Sequence, residues 1–359
     1  MGSFLSKNEF PVDGRTVLIT GGSTGLGLNA ARQLAERGAN VIIVARNVGT
    51  LQEGIAFISQ GARSPDTQRF HYISADVKTA DECARVVAES IAWNRGAPPD
   101  IVWCCAGSAH PTLLVDTPVD QFQTMMDSNY FSCVYMAHAI LNVWLKPPHG
   151  AAAVTGDMED GAEQEGQSES AKSQPVPNGK ALAAIPARHL VFTGSFVSLY
   201  SFAGFTPYAP SKAAVRALAD SLSQEMNLYA ASYPRVRVHA VLPATMPTQS
   251  LDDENAVKTD VTKALEEGDQ ILSPEECARR ALAGLESGEE IVPTSTIIRL
   301  VLTSVMGGSI RGGFWKGLGN TLLGWVTLVV MVFIRWEMDS KVTRWGREHG
   351  PSGMAKKTK

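Results

Sequence analysis

A glycine-rich turn between a short apolar run and a helical segment constrains the fold more than any other stretch of this chain. Residues 15–20 (Arg-Thr-Val-Leu-Ile-Thr) predict a buried strand that runs directly into a turn with glycines at 21, 25 and 27. We expect a helix to follow as far as Arg37, with Gly38 at its carboxyl cap, and residues 40–45 to form a second strand. This strand–helix–strand unit predicts an α/β fold with a doubly wound parallel sheet.

The same turn predicts a dinucleotide site. Glycines let the backbone approach a pyrophosphate, and the start of a helix supplies free N–H groups and positive potential. We therefore expect a Rossmann-type domain in which the cofactor contacts Gly21, Ser23, Thr24, Gly25, Leu26 and Gly27.

The residue after the second strand bears on the choice of cofactor. An acidic residue there would bind the ribose 2′-hydroxyl of NAD, but this chain has Arg46. A guanidinium attracts a 2′-phosphate, so Arg46 favours NADPH/NADP+ as the cofactor. The alternative is that Arg46 is a solvated loop charge.

A second stretch, residues 195–212, carries groups suited to ketone chemistry. Tyr208 and Lys212 lie four apart, so on a helix they share one face, and the ammonium would lower the phenol pKa. Ser195 follows an apolar run that predicts a strand, and its hydroxyl could bind a substrate oxygen beside Tyr208. Ser198 is the alternative donor. The spacing beyond Lys212 predicts a buried stripe of Ala213, Ala214, Ala217, Leu218, Ser221 and Leu222.

Together, Gly-x-x-x-Gly-x-Gly and Tyr-x-x-x-Lys with a serine thirteen residues before the tyrosine resemble the short-chain dehydrogenase/reductase family. The resemblance covers residues 14–293 and implies a single NADP-binding domain with Ser195, Tyr208 and Lys212 as catalytic residues. It implies that Asn129 is a fourth, which holds a water linked to the lysine. It also implies that further cofactor contacts come from Asp76, Val77, Ala106, Gly107 and Thr248, and that Tyr208 and Lys212 contact the cofactor as well.

The chain departs from the family pattern at two places. Cys104 and Cys105 replace two asparagines before Ala106-Gly107, and Ala244 replaces a glycine. The two cysteines could form a redox pair, but small buried apolar residues are the favoured interpretation.

Composition excludes several partner classes. A net charge of −4 and the lack of a basic arm give no reason to expect a nucleic-acid partner. The five cysteines are odd in number and follow no cleavable signal peptide, which favours a reducing compartment, and none has metal-ligand spacing.

Two segments are predicted to lie outside the packed core. Residues 1–13 predict a flexible N-terminus in which Gly2 matches an N-myristoylation pattern. Residues 147–188 are rich in Gly, Ala, Ser, Glu, Gln and Pro, which predicts a disordered insertion within the domain.

The C-terminal part predicts attachment to a membrane. Within the hydrophobic residues 294–336, the segment 317–334 has no charge and is about the minimum length for a span. Residues 297–310 are shorter and suit a re-entrant or interfacial piece, and a core helix or an oligomer contact is the alternative for both segments. Residues 337–359 form a basic tail, which favours the cytosolic face. A hairpin of the two segments would keep both flanks cytosolic.

With the apolar tail, the resemblance implies a reductase that acts on a long-chain lipid ketone at the endoplasmic reticulum membrane, with its catalytic domain facing the cytosol. Five side chains between Ser195 and Tyr208 could line a pocket for an aliphatic chain or could be core: Phe196, Leu199, Tyr200, Phe202 and Phe205. A steroid, a retinoid or a 3-ketoacyl chain is an alternative substrate. A catalytically idle NADP-binding scaffold is a second alternative, and the intact Ser195, Tyr208 and Lys212 argue against it. The oligomeric state is open, with a homo-oligomer among the choices.

Overall fold

The computed structural model describes residues 8–145, 185–305, 314–349 and 353–355. Within them, seven parallel strands form one sheet in the order β3-β2-β1-β4-β5-β6-β7. The strands are β1 Thr16–Thr20, β2 Asn40–Ala45, β3 Phe70–Ser74, β4 Ile101–Cys104, β5 Arg188–Thr193, β6 Val236–Leu242 and β7 Ile291–Pro293. The predicted doubly wound α/β fold is confirmed.

Helices cover both faces of the sheet. They are α1 Gly25–Glu36, α2 Val48–Ser59, α3 Ala80–Trp93, α4 Val119–Met126, α5 Ser132–Trp144, α6 Ala209–Tyr229, α7 Gln249–Val257, α8 Asp260–Leu265, α9 Pro274–Glu286, α10 Thr296–Val305 and α11 Phe314–His349. Alternate residues of β1 enter different cores. Val17 and Ile19 pack with α1, α2 and α9, whereas Leu18 packs with α3, α5 and α6. The strand is therefore apolar throughout, as expected for a parallel sheet covered on both faces.

Two helices begin at side-chain caps that short sequence patterns indicate, Thr-x-x-Glu at 79–82 and Ser-Pro-Glu-Glu at 273–276. The Thr79 hydroxyl accepts a hydrogen bond from the Glu82 N–H (3.3 Å) at the start of α3. Ser273 does the same for the Glu276 N–H (3.1 Å) at α9, where Pro274 is the first helical residue. Each hydroxyl satisfies an N–H that has no partner within its own helix.

The helical path from Val119 to Trp144 contains one irregularity. A π-helical turn, Asp127–Phe131, joins α4 to α5 without a break in the helical path. Such a turn adds one residue to the helix and is common at functional sites. The buried residue within it is Asn129.

The stripe predicted on α6 is partly wrong. Ala213, Ala217 and Ser221 are exposed, and the buried residues of the helix are Ala209, Ser211, Lys212, Val215, Ala219 and Met226. Small residues such as alanine suit either face of a helix, so their spacing does not indicate which face of α6 is buried. The Lys212 side chain points to the sheet, and this orientation determines which other residues of α6 are buried.

Two segments that were predicted to lie outside the packed core are only partly described. Gly2 and residues 147–184 of the predicted insertion lie outside the described residues, whereas Arg188 already belongs to β5. The predicted insertion is therefore one residue too long at its carboxyl end.

The two C-terminal helices pack against each other. The hydroxyls of Thr303 on α10 and Thr327 on α11 lie 3.0 Å apart, and a Cβ on Gly324 would lie 2.6 Å from the Thr303 carbonyl oxygen. Ile298 and Leu302 belong to the core on one face of the sheet, so α10 also serves as a core helix. Among the described residues, α11 alone is long and apolar enough to cross a membrane, by length and composition.

Candidate active site

A cavity of about 670 Å³ opens at the carboxyl ends of the central strands. In open parallel sheets, ligands bind at this edge, where the strand order reverses, here between β1 and β4. The cavity brings together most of the residues expected from the sequence. Those that line it are Gly21, Ser23, Thr24, Gly25, Leu26, Gly27, Ala106, Gly107, Ser195, Tyr208, Lys212 and Thr248.

The turn after β1 has the shape that a dinucleotide requires. Gly21 has a φ of +65°, and a Cβ there would lie 2.7 Å from the Ala106 nitrogen. A Cβ on Gly27 would collide with the carbonyl oxygen of Gly21. At the start of α1, Thr24 makes no side-chain cap and the first turn holds no acidic residue, so no side chain competes for the N–H groups there. These residues fit a pyrophosphate.

Three of the expected cofactor residues lie outside the cavity lining, at the ends of β2 and β3: Arg46, Asp76 and Val77. Arg46 is exposed, and its backbone carbonyl accepts a hydrogen bond from the Ser74 hydroxyl (3.0 Å). Asp76 forms an ion pair with Lys78 (3.3 Å). This corner therefore carries two cations against one carboxylate, which suits an anionic group.

Ser195 and Tyr208 meet in the middle of the cavity. Ser195 stands two residues beyond β5 and caps a single 3₁₀ turn, Phe196–Ser198. Tyr208 immediately precedes α6. Burial raises the pKa of the Tyr208 phenol above its usual value, and a hydrogen bond with Ser195 opposes that rise. The hydroxyl of Ser198 instead donates to the Ser195 carbonyl (2.6 Å), which makes Ser198 the weaker candidate.

The prediction that Lys212 lowers the Tyr208 pKa is wrong in this structure. The Lys212 ammonium donates to the Thr193 carbonyl (2.9 Å) and lies 5.8 Å from the centre of the Tyr208 ring. Burial is the largest cause of the raised Tyr208 pKa, and Lys212 does not contribute to that shift. Burial also lowers the pKa of Lys212. The phenol consequently stays protonated at neutral pH.

Asn129 ties the loop after β4 to helix α6. Its side-chain oxygen accepts from the Ser108 N–H (3.1 Å), and its amide donates to the Ser108 carbonyl (2.9 Å) and the Ser211 hydroxyl (3.1 Å). Ser211 in turn donates to the Tyr208 carbonyl (2.7 Å). The sequence reasoning missed Ser211, although it stands directly before Lys212. The role of Asn129 as a water ligand stays a prediction.

The cysteines that replace the family asparagines are apolar packing residues. Cys104 is buried, and Cys105 lies at the cavity wall, where its sulfur accepts a hydrogen bond from the Thr193 hydroxyl (3.2 Å). Burial raises the pKa of Cys105 to about 12, so its thiol stays protonated and weakly reactive. This agrees with the interpretation favoured from the sequence.

The far end of the cavity combines an apolar wall with acidic groups. Phe196, Phe202 and Phe205 line it, whereas Leu199 packs against the core and Tyr200 stands outside the lining. The wall also includes Met246, Ile297 and Ile298, and the acidic residues at this end are Glu254, Glu266 and Asp269.

Comparisons with known proteins agree with this arrangement. A family model described as short chain dehydrogenase matches residues 15–160 and 184–259. The chain is 42% identical to a 3-ketodihydrosphingosine reductase of Neurospora crassa, over 98% of this chain and 87% of the relative. It is 38% identical to a 3-ketodihydrosphingosine reductase of Aspergillus fumigatus, over 97% and 89%. A short-chain dehydrogenase/reductase structure from Mycobacterium ulcerans matches with a TM-score of 0.57 at 19% identity, over 79% of this chain and 89% of that one.

The hydrogen bonds of Asn129 generate a prediction for stability. We expect Asn129→Ala to lower the free energy of unfolding by about 2–4 kcal/mol, because the Ser108 backbone and Ser211 would lose buried partners. Asn142→Ala on the same helical segment is the control, since its hydrogen bonds are exposed, and should cost under about 1 kcal/mol. Denaturant unfolding of both variants checks this. Equal losses of unfolding free energy in the two variants would show that the hydrogen bonds of Asn129 add no particular stability.

Proposed function

The chain belongs to the short-chain dehydrogenase family, and we propose that it reduces the ketone of 3-ketodihydrosphingosine with NADPH at a membrane surface. The observation that carries this proposal is a half-buried, protonated Tyr208 beside Ser195, in a cavity with a glycine turn at one end and aromatic side chains at the other. The names of the two fungal relatives, similar over nearly their whole lengths, support the choice of substrate. The run Phe205–Lys212 (Phe-Thr-Pro-Tyr-Ala-Pro-Ser-Lys) also resembles that reductase.

The protein groups act on the ketone oxygen. Ser195 and Tyr208 donate hydrogen bonds to it, and Tyr208 gives up its proton as the oxygen becomes an alkoxide. NADPH, when bound, supplies the hydride to the carbonyl carbon. Reduction requires a phenol that is protonated at the start, and the raised pKa of Tyr208 provides it. Lys212 is proposed to hold the nicotinamide ribose.

The cofactor is proposed to be NADPH, held along the cavity from the glycine turn to Lys212. The turn and the start of α1 would bind the pyrophosphate, and Arg46 would bind the 2′-phosphate. Asp76 and Val77 at the end of β3 would contact the adenine. Ala106, Gly107 and Thr248 line the cavity and would contact the cofactor between its ends.

The tail is proposed to attach the enzyme to the endoplasmic reticulum membrane with the catalytic domain on the cytosolic side. Helix α11 supports this proposal because large apolar side chains such as Trp325 and Phe333 are each 66% exposed. Helix α10 packs into the core of the domain, so α11 is the part proposed to enter the membrane. A long-chain lipid ketone partitions into the bilayer, so attachment keeps the enzyme next to its substrate.

Removing the proposed proton donor tests the reaction. We expect Tyr208→Phe to lower kcat by at least about a thousandfold while NADPH affinity changes by no more than a few-fold, because the hydroxyl transfers a proton and does not bind the cofactor. Tyr200→Phe is the matched control, since Tyr200 lies outside the cavity lining, and it should keep wild-type activity. Assays of NADPH oxidation and titration of NADPH binding measure both. Substantial turnover by Tyr208→Phe would refute the assignment.

Reversing the charge after β2 tests the cofactor. We expect Arg46→Asp to weaken NADPH binding by about 10- to 100-fold and to leave NADH binding equal or stronger, because a charge-assisted contact becomes a repulsion. Arg95→Asp, an exposed residue beyond the end of α3, makes the same charge change and should alter neither affinity. Titrations of both cofactors check this. An unchanged ratio of the two affinities would mean that Arg46 is only a surface charge.

A further inference from the structure

Building on the proposed function, we propose that Glu254, together with Glu266, binds the ammonium group of a 2-amino ketone and thereby selects amino ketones over ketones without an amine. In 3-ketodihydrosphingosine the amine stands on the carbon next to the ketone. A protein that reduces it must therefore accept a cation beside the reacting carbonyl. The catalytic groups described above, Ser195, Tyr208 and Lys212, include no anion for that purpose.

Glu254 and Glu266 belong to an ion-paired cluster around one lysine. The Lys258 ammonium lies 2.9 Å from a Glu254 oxygen and 2.6 Å from a Glu266 oxygen. The lysine side chain is only 2% exposed, whereas the two carboxylates keep 17% and 19% exposure and line the cavity. Lys258 thus stands behind the carboxylates, and they face the cavity.

The charges of this cluster do not cancel. One ammonium faces two carboxylates, which leaves one net negative charge at the cavity wall. A partly desolvated carboxylate attracts a cation strongly, and a hydrogen bond between ions of opposite charge exceeds a neutral one. An ammonium on the substrate is the cation that the site lacks.

The cluster also lies close to the reacting centre. Lys258 is 5.7 Å from the centre of the Phe205 ring, whose own centre is 6.1 Å from that of Tyr208. Burial is the main cause of the raised Tyr208 pKa, and the negative charge of Glu254 adds to it, so the carboxylate lies within electrostatic range of the phenol.

The same charge would disfavour substrates without an amine. A neutral ketone that filled the cavity would displace water from the carboxylates and return no ionic contact, which costs binding energy. Selection therefore has an attractive part and a repulsive part. Asp269 also lines the cavity but is exposed and forms no ion pair with Lys258, so the proposal does not include it.

The test compares two soluble short-chain ketones, a 2-amino-1-hydroxy-3-ketone and the same 1-hydroxy-3-ketone without the amine. Using the full chain in detergent with NADPH at pH 7, we expect Glu254→Gln to lower kcat/KM for the amino ketone by about 10- to 100-fold and to leave it unchanged or higher for the other ketone. Glu266→Gln should act in the same direction, because it leaves Lys258 balanced by Glu254.

Matched controls remove the same charge outside the cavity. Asp253 is next to Glu254 in the sequence, Glu267 is next to Glu266, and neither lines the cavity. The variants Asp253→Asn and Glu267→Gln should therefore keep the wild-type preference for the amino ketone. An equal loss with both ketones in Glu254→Gln, or no loss with either, would overturn the proposal.

A binding measurement separates this proposal from the proposed function. The reduced amino alcohol and its N-acetyl derivative are titrated into the NADP+-loaded protein, which requires no turnover. Wild-type protein should bind the amine at least about tenfold more tightly, and Glu254→Gln should lose that preference. If the enzyme reduced neither ketone, the proposed function would fail, and this titration would still decide for or against amine recognition.

Discussion

The site depends on the close approach of two backbone segments, the turn after β1 and the loop after β4. Gly21 lies so near Ala106 that any side chain there would collide with the backbone. This contact sets the crevice between the two halves of the sheet, where the strand order reverses. On the other side of the loop, Asn129 holds Ser108 and reaches α6 through Ser211. The cofactor end and the proton-transfer end are therefore parts of one braced unit.

Burial governs the chemistry of that unit. It keeps the Tyr208 phenol and the Cys105 thiol protonated, so one is a proton donor for reduction and the other an inert wall. It also turns the cluster of Glu254, Lys258 and Glu266 into a fixed source of negative charge, because few water molecules reach its lysine. An apolar wall and a charged corner in one cavity suit a ligand with an aliphatic chain and a cationic head.

The sequence predicted those parts that depend on local chemistry. The order of strands and helices, the glycine turn and the caps at Thr79 and Ser273 follow from short patterns, and the structure agrees with them. The site motifs were also local, since Tyr208 and Lys212 lie one helical turn apart. Arrangements that depend on distant packing could not be read in this way. The π turn at Asn129 and the hydrogen bond from Lys212 to Thr193 arise only when α5, α6 and β5 meet. The cluster of Glu254, Lys258 and Glu266 joins α7 to the end of α8, which the sequence does not show to be close. The small residues on α6 did not indicate which face of that helix is buried.

The most direct test of the whole account is to supply purified full-length protein in detergent with NADPH and 3-ketodihydrosphingosine, and to follow both NADPH oxidation and the lipid product. The account predicts saturable oxidation with one dihydrosphingosine formed for each NADPH consumed, and much slower oxidation with a steroid ketone or a retinoid. No oxidation above background with 3-ketodihydrosphingosine, or an equal rate with the other ketones, would contradict it.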